Sequence, residues 1–114
     1  MFRFFHRHSL TIVLYHGVAP EAEGGLAAMP AQAGHAGIYN YRGKFIRPDV
    51  FERQVAYMNR HYTILPVDEA LRRLDDGTLP DYALAITFDD GYRNFYEHAY
   101  PVLKASHTPA TMYL

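Results

Sequence analysis

The sequence predicts an α/β chain built around a parallel sheet, and three observations carry that prediction. Apolar, β-branched runs at Leu10–Tyr15 and from Ala83 to Phe88 read as buried strands. Segments of helical period lie between and after them. Strands that alternate with helices imply parallel neighbours joined by right-handed crossovers.

The first strand is Leu10–Tyr15, ended by His16-Gly17. Residues 1–9 form a basic lead-in with Arg3 and Arg7. The apolar run behind them is shorter than a signal core of roughly 7–15 residues and far short of the roughly 20 needed to span a bilayer. A strand is the better reading, and the localisation stays open. Residues 19–44 are rich in Ala, Gly and Pro without a steady period. They read as a long loop insertion, beyond the usual limit of about 12–15 residues.

Pro48 to Arg60 reads as a helix. Pro48 suits the first turn, Asp49 and Glu52 sit near the positive end of the dipole, and Arg60 near the negative end. Phe51, Val55 and Met58 fall on one face. Tyr62 to Pro66 reads as a short strand. Asp68 is expected to cap a second helix through Leu74, with Val67, Leu71 and Leu74 facing inward.

Asp75-Asp76-Gly77 follows that amphipathic helix and precedes Pro80, so a solvated helix stop explains it. After the strand from Ala83, Tyr92 to Ser106 is helix-like, with Phe95, Ala99, Val102 and Leu103 as its apolar stripe. Pro101 falls inside it and predicts a kink or a break into two segments. Thr108-Pro109 reads as a turn and Ala110 to Leu114 as another buried strand.

Composition narrows the function classes. The 114 residues suffice for one small domain, and 49% hydrophobic with 20% charged residues is ordinary for a globular chain. A net charge of −1 without a Lys/Arg block leaves no electrostatic footprint for nucleic acid. The absence of cysteine excludes thiol catalysis, disulfide scaffolds and zinc-cysteine sites. Ten Tyr and seven Phe suit a packed core, and equally a sugar-binding cleft.

The chemistry concentrates at Asp89 and Asp90. This Asp-Asp-Gly follows a buried strand, and ligands of parallel α/β sheets bind beyond the carboxyl ends of strands. Successive residues leaving a strand point in different directions. The two acids are therefore expected to do different jobs: one binds a divalent metal, the other holds or deprotonates a water. Gly91 would let the backbone turn sharply beside a substrate. The bland alternative is a turn in which one Asp caps the next helix. His16 ends the first strand and could reach the same mouth, or serve as a structural histidine. Gly91 and Tyr92 are further candidates to line the site.

Thr87-Phe88-Asp89-Asp90-Gly91 is identical to the first motif of the polysaccharide deacetylases, the family that shares the chitooligosaccharide-deacetylase homology domain. Leu14-Tyr15-His16-Gly17-Val18 resembles that family's N-terminal strand end. Phe51, Gln54, Tyr57 and Met58 resemble its lead-in helix, and Tyr62-Thr63-Ile64-Leu65-Pro66 its next strand. Residues 99–104 and 109–114 resemble a later helix and strand.

The resemblance implies the N-terminal part of a distorted (β/α) barrel with parallel strands, incomplete here, since a full barrel takes roughly 250 residues. It implies a metal-dependent hydrolase that removes N-acetyl groups from a polysaccharide or oligosaccharide. Asp89 would be the catalytic base and Asp90 a ligand of a divalent metal, zinc. The family's His-x-x-x-His ligand motif has no counterpart, for no two of the seven histidines stand four apart. Its later motifs, including the general-acid histidine, are absent too. The chain by itself is therefore expected to be inactive, and to self-associate through an open sheet edge. The alternatives are a non-catalytic interaction module on the same fold, or another metal hydrolase such as a phosphoesterase.

Overall fold

The computed structural model describes residues 7–20 and 45–114. The loop expected over 19–44 thus lies mostly outside the described residues, as do His6 and His35. The elements in chain order are β1 (Leu10–Tyr15), β2 (Gly17–Val18), β3 (Phe45–Ile46), α1 (Pro48–His61), β4 (Thr63–Ile64) and α2 (Val67–Asp76). There follow β5 (Ala83–Asp89), a π-helical turn (Phe95–Ala99), α3 (Tyr100–Ala105) and β6 (Thr111–Tyr113).

Among the described residues every strand pairing is parallel, as the strand-helix alternation predicts. β5 is the hub. β1 lies along one edge, from Leu10 opposite Ala83 to Tyr15 opposite Phe88. The other edge is shared: β4 pairs with its start at Ala83 and Leu84, and β6 with its end at Thr87, Phe88 and Asp89. The pair β2–β3, unforeseen from the sequence, forms a separate small sheet just past β1. The described strands form an open sheet and not a closed barrel.

Alternation along β5 sorts its side chains onto two faces. Leu84, Ile86 and Phe88 join the core with Phe51, Val55 and Met58 of α1 and with Ala99 and Leu103. Tyr15 packs there as well, its ring stacked on Phe88 at 5.3 Å and edge-on to Phe51 at 5.1 Å. The small residues Ala83, Ala85 and Thr87 take the opposite face, and Asp89 continues it. Thr87 is buried there with its hydroxyl satisfied, donating to the Val13 carbonyl at 2.8 Å.

Four expectations need correction. β1 is not buried on both faces, since Ile12 and Leu14 are 51% and 55% exposed. They alternate with Val13 and Tyr15, which take the helix side, and no described element covers the other side. β6 is likewise half-exposed, with Tyr113 at its open end. In α2 the buried positions are Val67 and Ala70, one turn apart, while Leu71 and Leu74 are exposed. Alanine at position 70 lets the helix approach closely through its small side chain. Asp68 does not cap α2: Pro66 is the cap residue and makes no side-chain bond, and Asp68 sits in the first turn.

Other local signals hold. Pro48 opens α1, whose buried residues are Phe51, Val55 and Met58. Gly77 ends α2 in the left-handed region at φ 73°. Pro101 cannot supply an amide proton, and the last helix runs on through it with a π-helical turn just before it. The π-helical turn, in which the Tyr100 amide bonds the Phe95 carbonyl, hands over to α3 with Pro101 in its first turn. The basic lead-in is fastened from Arg7 onward: Arg7 Nε pairs with Asp81 Oδ2 at 3.0 Å, and His8 lies 3.4 Å from the same carboxylate.

Candidate functional site

Parallel pairing brings the C-terminal ends of β1 and β5 level, with Tyr15 opposite Phe88. The next residues, His16 and Asp89, therefore emerge side by side. β6 ends at the same level, with Asp89 opposite Tyr113. The three strand ends form one mouth, which is where the sequence placed the chemistry.

The chain turns abruptly after Asp89. Asp90 has φ 72° and Gly91 φ 61°, two left-handed residues in succession. That region is open to glycine and tolerated by aspartate, whose short polar side chain suffers least there. The turn is tied to β6 by the Asp90 amide, which bonds the Tyr113 carbonyl at 2.9 Å. As a result the two acids sit in different surroundings. Asp89 continues the face of Ala85 and Thr87 and is half-buried. Asp90 is exposed, with Oδ2 4.0 Å from His16 Nε2.

Of the other sequence candidates, Gly91 makes the sharp turn expected of it. Tyr92 packs its ring edge-on against Phe45 at 4.8 Å, so it fastens the loop to β3. The structure adds Asn94, which the sequence reading passed over. Its Oδ1 accepts a hydrogen bond from the Val18 amide at 3.3 Å. A lone Asn one residue before the apolar stripe gives no signal of its own. The nearest hint was Gly17, directly after His16.

The remaining described histidines do not reach this mouth. His8 sits with Asp81 at the opposite end of β5. The His61 ring lies 4.4 Å from that of Tyr57 on α1, and His98 stands 3.9 Å from Glu97. His107 occupies the turn before β6 at φ 52°. A catalytic zinc takes three protein ligands. No group of three or more His, Asp or Glu side chains suited to a metal occurs among the described residues. These residues therefore do not form a zinc centre by themselves.

A second concavity lies on the other side of β1. Val13, Tyr15, Val50, Arg53, Gln54, Tyr57 and Met58 line an open depression of about 460 Å³ between β1 and α1. Here the Tyr15 hydroxyl donates to Gln54 Oε1 at 2.6 Å. Burial pushes the Tyr15 phenol from 10.0 up to about 12, because the phenolate would lose its water shell. Tyr15 thus stays a neutral donor across the physiological range.

Comparison with known proteins points one way. Residues 76–114, which include both acids, match the sequence profile of the polysaccharide deacetylase family. YxkH of Bacillus subtilis, named as a polysaccharide deacetylase, is 35% identical over 66 residues, which take in 56% of this chain and 24% of that protein. The poly-β-1,6-N-acetyl-D-glucosamine N-deacetylase of Staphylococcus epidermidis is 34% identical over 65 residues, 56% of this chain and 22% of the enzyme. The deacetylase PplD of Streptococcus pyogenes, solved with acetate, superposes with a TM-score of 0.66 at 28% identity. That superposition covers 90% of this chain and 41% of PplD. The chain thus spans about a quarter of the sequence relatives and two-fifths of the structural one.

Proposed function

We propose, for a chain related to the polysaccharide deacetylases, that it contributes the acid pair of a hydrolase removing acetyl groups from N-acetylated sugars of a polysaccharide. The observation that carries this reading is the position of Asp89 and Asp90. They stand at the C-terminal end of a buried strand, inside the matched segment, one half-buried and the other exposed beside His16.

Different surroundings suit a division of labour. Asp89 lies on the sheet face that runs into the mouth, and we assign it the proton of the attacking water. The water oxygen bonds to the amide carbonyl carbon, and the carbon–nitrogen bond then breaks. The amine nitrogen takes up a proton and leaves as the free amino sugar, with acetate as the other product. His16 is the imidazole placed at this mouth and is assigned to line it, while the proton that the amine acquires is assigned to a group outside the described residues. Asp90 is assigned to a divalent metal, zinc, with the remaining ligands supplied from outside the described residues. The chain without those ligands is expected to be inactive.

The experiment is acetate release from an N-acetylglucosamine oligomer with zinc supplied, in a form of the protein that carries the remaining ligands, comparing Asp89 with Asp89→Asn. Release that disappears in the variant supports the reading. Equal release from both, or zinc-dependent release of phosphate from a phosphoester in place of acetate, overturns it.

A second reading, an assembly module without catalysis, is favoured by the exposed apolar side chains of Ile12, Leu14 and Tyr113 on the open sheet face. It predicts association in sedimentation experiments that neither zinc nor Asp90→Asn alters.

A further inference from the structure

The β1–β5 ladder sets the level of the strand ends but stops at Tyr15 and Phe88. His16 lies beyond it on one side and Asp90 on the other. Their 4.0 Å separation therefore depends on what joins the two departing segments.

Two contacts join them. The Asn94 carboxamide, just past the left-handed turn, accepts the Val18 amide at 3.3 Å. Tyr92 packs on Phe45, whose strand pairs with Gly17 and Val18. The fit is tight: a Cβ on residue 17 would lie 2.6 Å from Asn94 Oδ1 and 2.7 Å from a Phe45 ring carbon. Only glycine lets the backbone after His16 come this close. The contact thus has a requirement on both sides, an acceptor oxygen at 94 and no side chain at 17.

We propose that Asn94 is a positioning residue, whose carboxamide, bonded to Val18 across Gly17, holds His16 at its spacing from Asp90. The proposal rests on the reading of His16 and Asp90 as site residues. It concerns geometry, so it is tested by a measurement separate from catalysis. Because only the acceptor oxygen is used, aspartate can replace Asn94. Leucine, of similar size, cannot.

The test is NMR on the isotopically labelled chain, native and with Asn94→Leu or Asn94→Asp. In Asn94→Leu the cross-peak between the His16 ring and the Asp90 β protons disappears. The Val18 amide exchanges roughly fivefold faster, as loss of one hydrogen bond entails, and the Phe51 and Phe88 ring signals stay in place. Asn94→Asp keeps the cross-peak and the slow exchange. An Asn that merely filled space would be replaced by Leu without loss of the cross-peak. A cross-peak that survives in Asn94→Leu, or vanishes in Asn94→Asp, overturns the proposal. If Asn94→Leu does not fold, the Asp variant decides alone. Failure of the deacetylase reading would show instead in the acetate assay, with this spectrum unchanged.

Discussion

His16 Nε2 stands 4.0 Å from Asp90 Oδ2, although most of the chain lies between them. Parallel pairing of β1 with β5 makes the encounter possible, and the left-handed turn at Asp90 and Gly91 completes it. The backbone conformation at two residues thus decides which acid meets the histidine and which faces the open sheet.

Replacing Asp89, the proposed base, should lower activity and leave the fold alone. In any form of the protein that releases acetate, Asp89→Asn is expected to lower kcat by about 10²–10⁴-fold, the usual worth of a general base. The melting temperature should not fall, because the side chain is half-exposed and no core contact is lost. Acetate assays and thermal melts on the same preparations check this.

The two site glycines should differ in cost. Gly17→Ala forces a methyl group against Asn94 and the Phe45 ring, and overpacking of this kind costs about 1–3 kcal/mol. Gly91→Ala meets only the tip of the Leu114 side chain, at 2.7 Å, which can swing aside. Its cost is the φ of 61°, about 1–2 kcal/mol. Urea unfolding should rank Gly17→Ala as the less stable variant.

The two faces of the sheet should respond differently to truncation. Phe51 is fully buried between Tyr15 and Phe88, and Phe51→Ala is expected to cost about 3–5 kcal/mol. Ile12 is half-exposed on the open face, and Ile12→Thr should stay within about 0.5 kcal/mol. Denaturant midpoints measured at equal slope test the contrast.

Alkaline pH should destabilise the chain through Tyr15. Its phenol is raised from 10.0 to about 12 in the folded protein. The unfolded chain therefore ionises first. The stabilising contribution is complete below pH 10 and is lost as pH rises towards 12. Tyr15→Phe removes that part of the pH slope. At neutral pH it costs about 0.5–1.5 kcal/mol for the lost bond to Gln54. Stability curves from pH 8 to about 12, with absorbance titration of the phenolate, measure both.

Much of the architecture was legible in the chain. Apolar runs marked β1 and β5 to the residue or nearly so, because strand formation there depends on local side-chain character. Pro48, Gly77 and Pro101 marked a helix start, a helix stop and a helix irregularity, because each acts through its own backbone geometry. The contrast between Asp75-Asp76-Gly77 and Asp89-Asp90-Gly91 was legible too, since one follows an amphipathic helix and the other a buried strand.

What the chain could not disclose was how closely elements distant in sequence lie on one another and which faces stay uncovered. The exposure of Ile12 and Leu14 depends on whether another element covers their face, and their hydrophobicity is the same either way. The burial of Ala70 in place of Leu71 and Leu74 depends on how closely α2 lies on its neighbours. The sequence alone determined that two acids leave a buried strand together. Only the tertiary structure decided that Asp90 turns to His16 while Asp89 stays with the sheet, and that Asn94 bonds across Gly17. Those relations arise from strand register and from torsions in the left-handed region, which no run of residue types specifies until the strands are side by side.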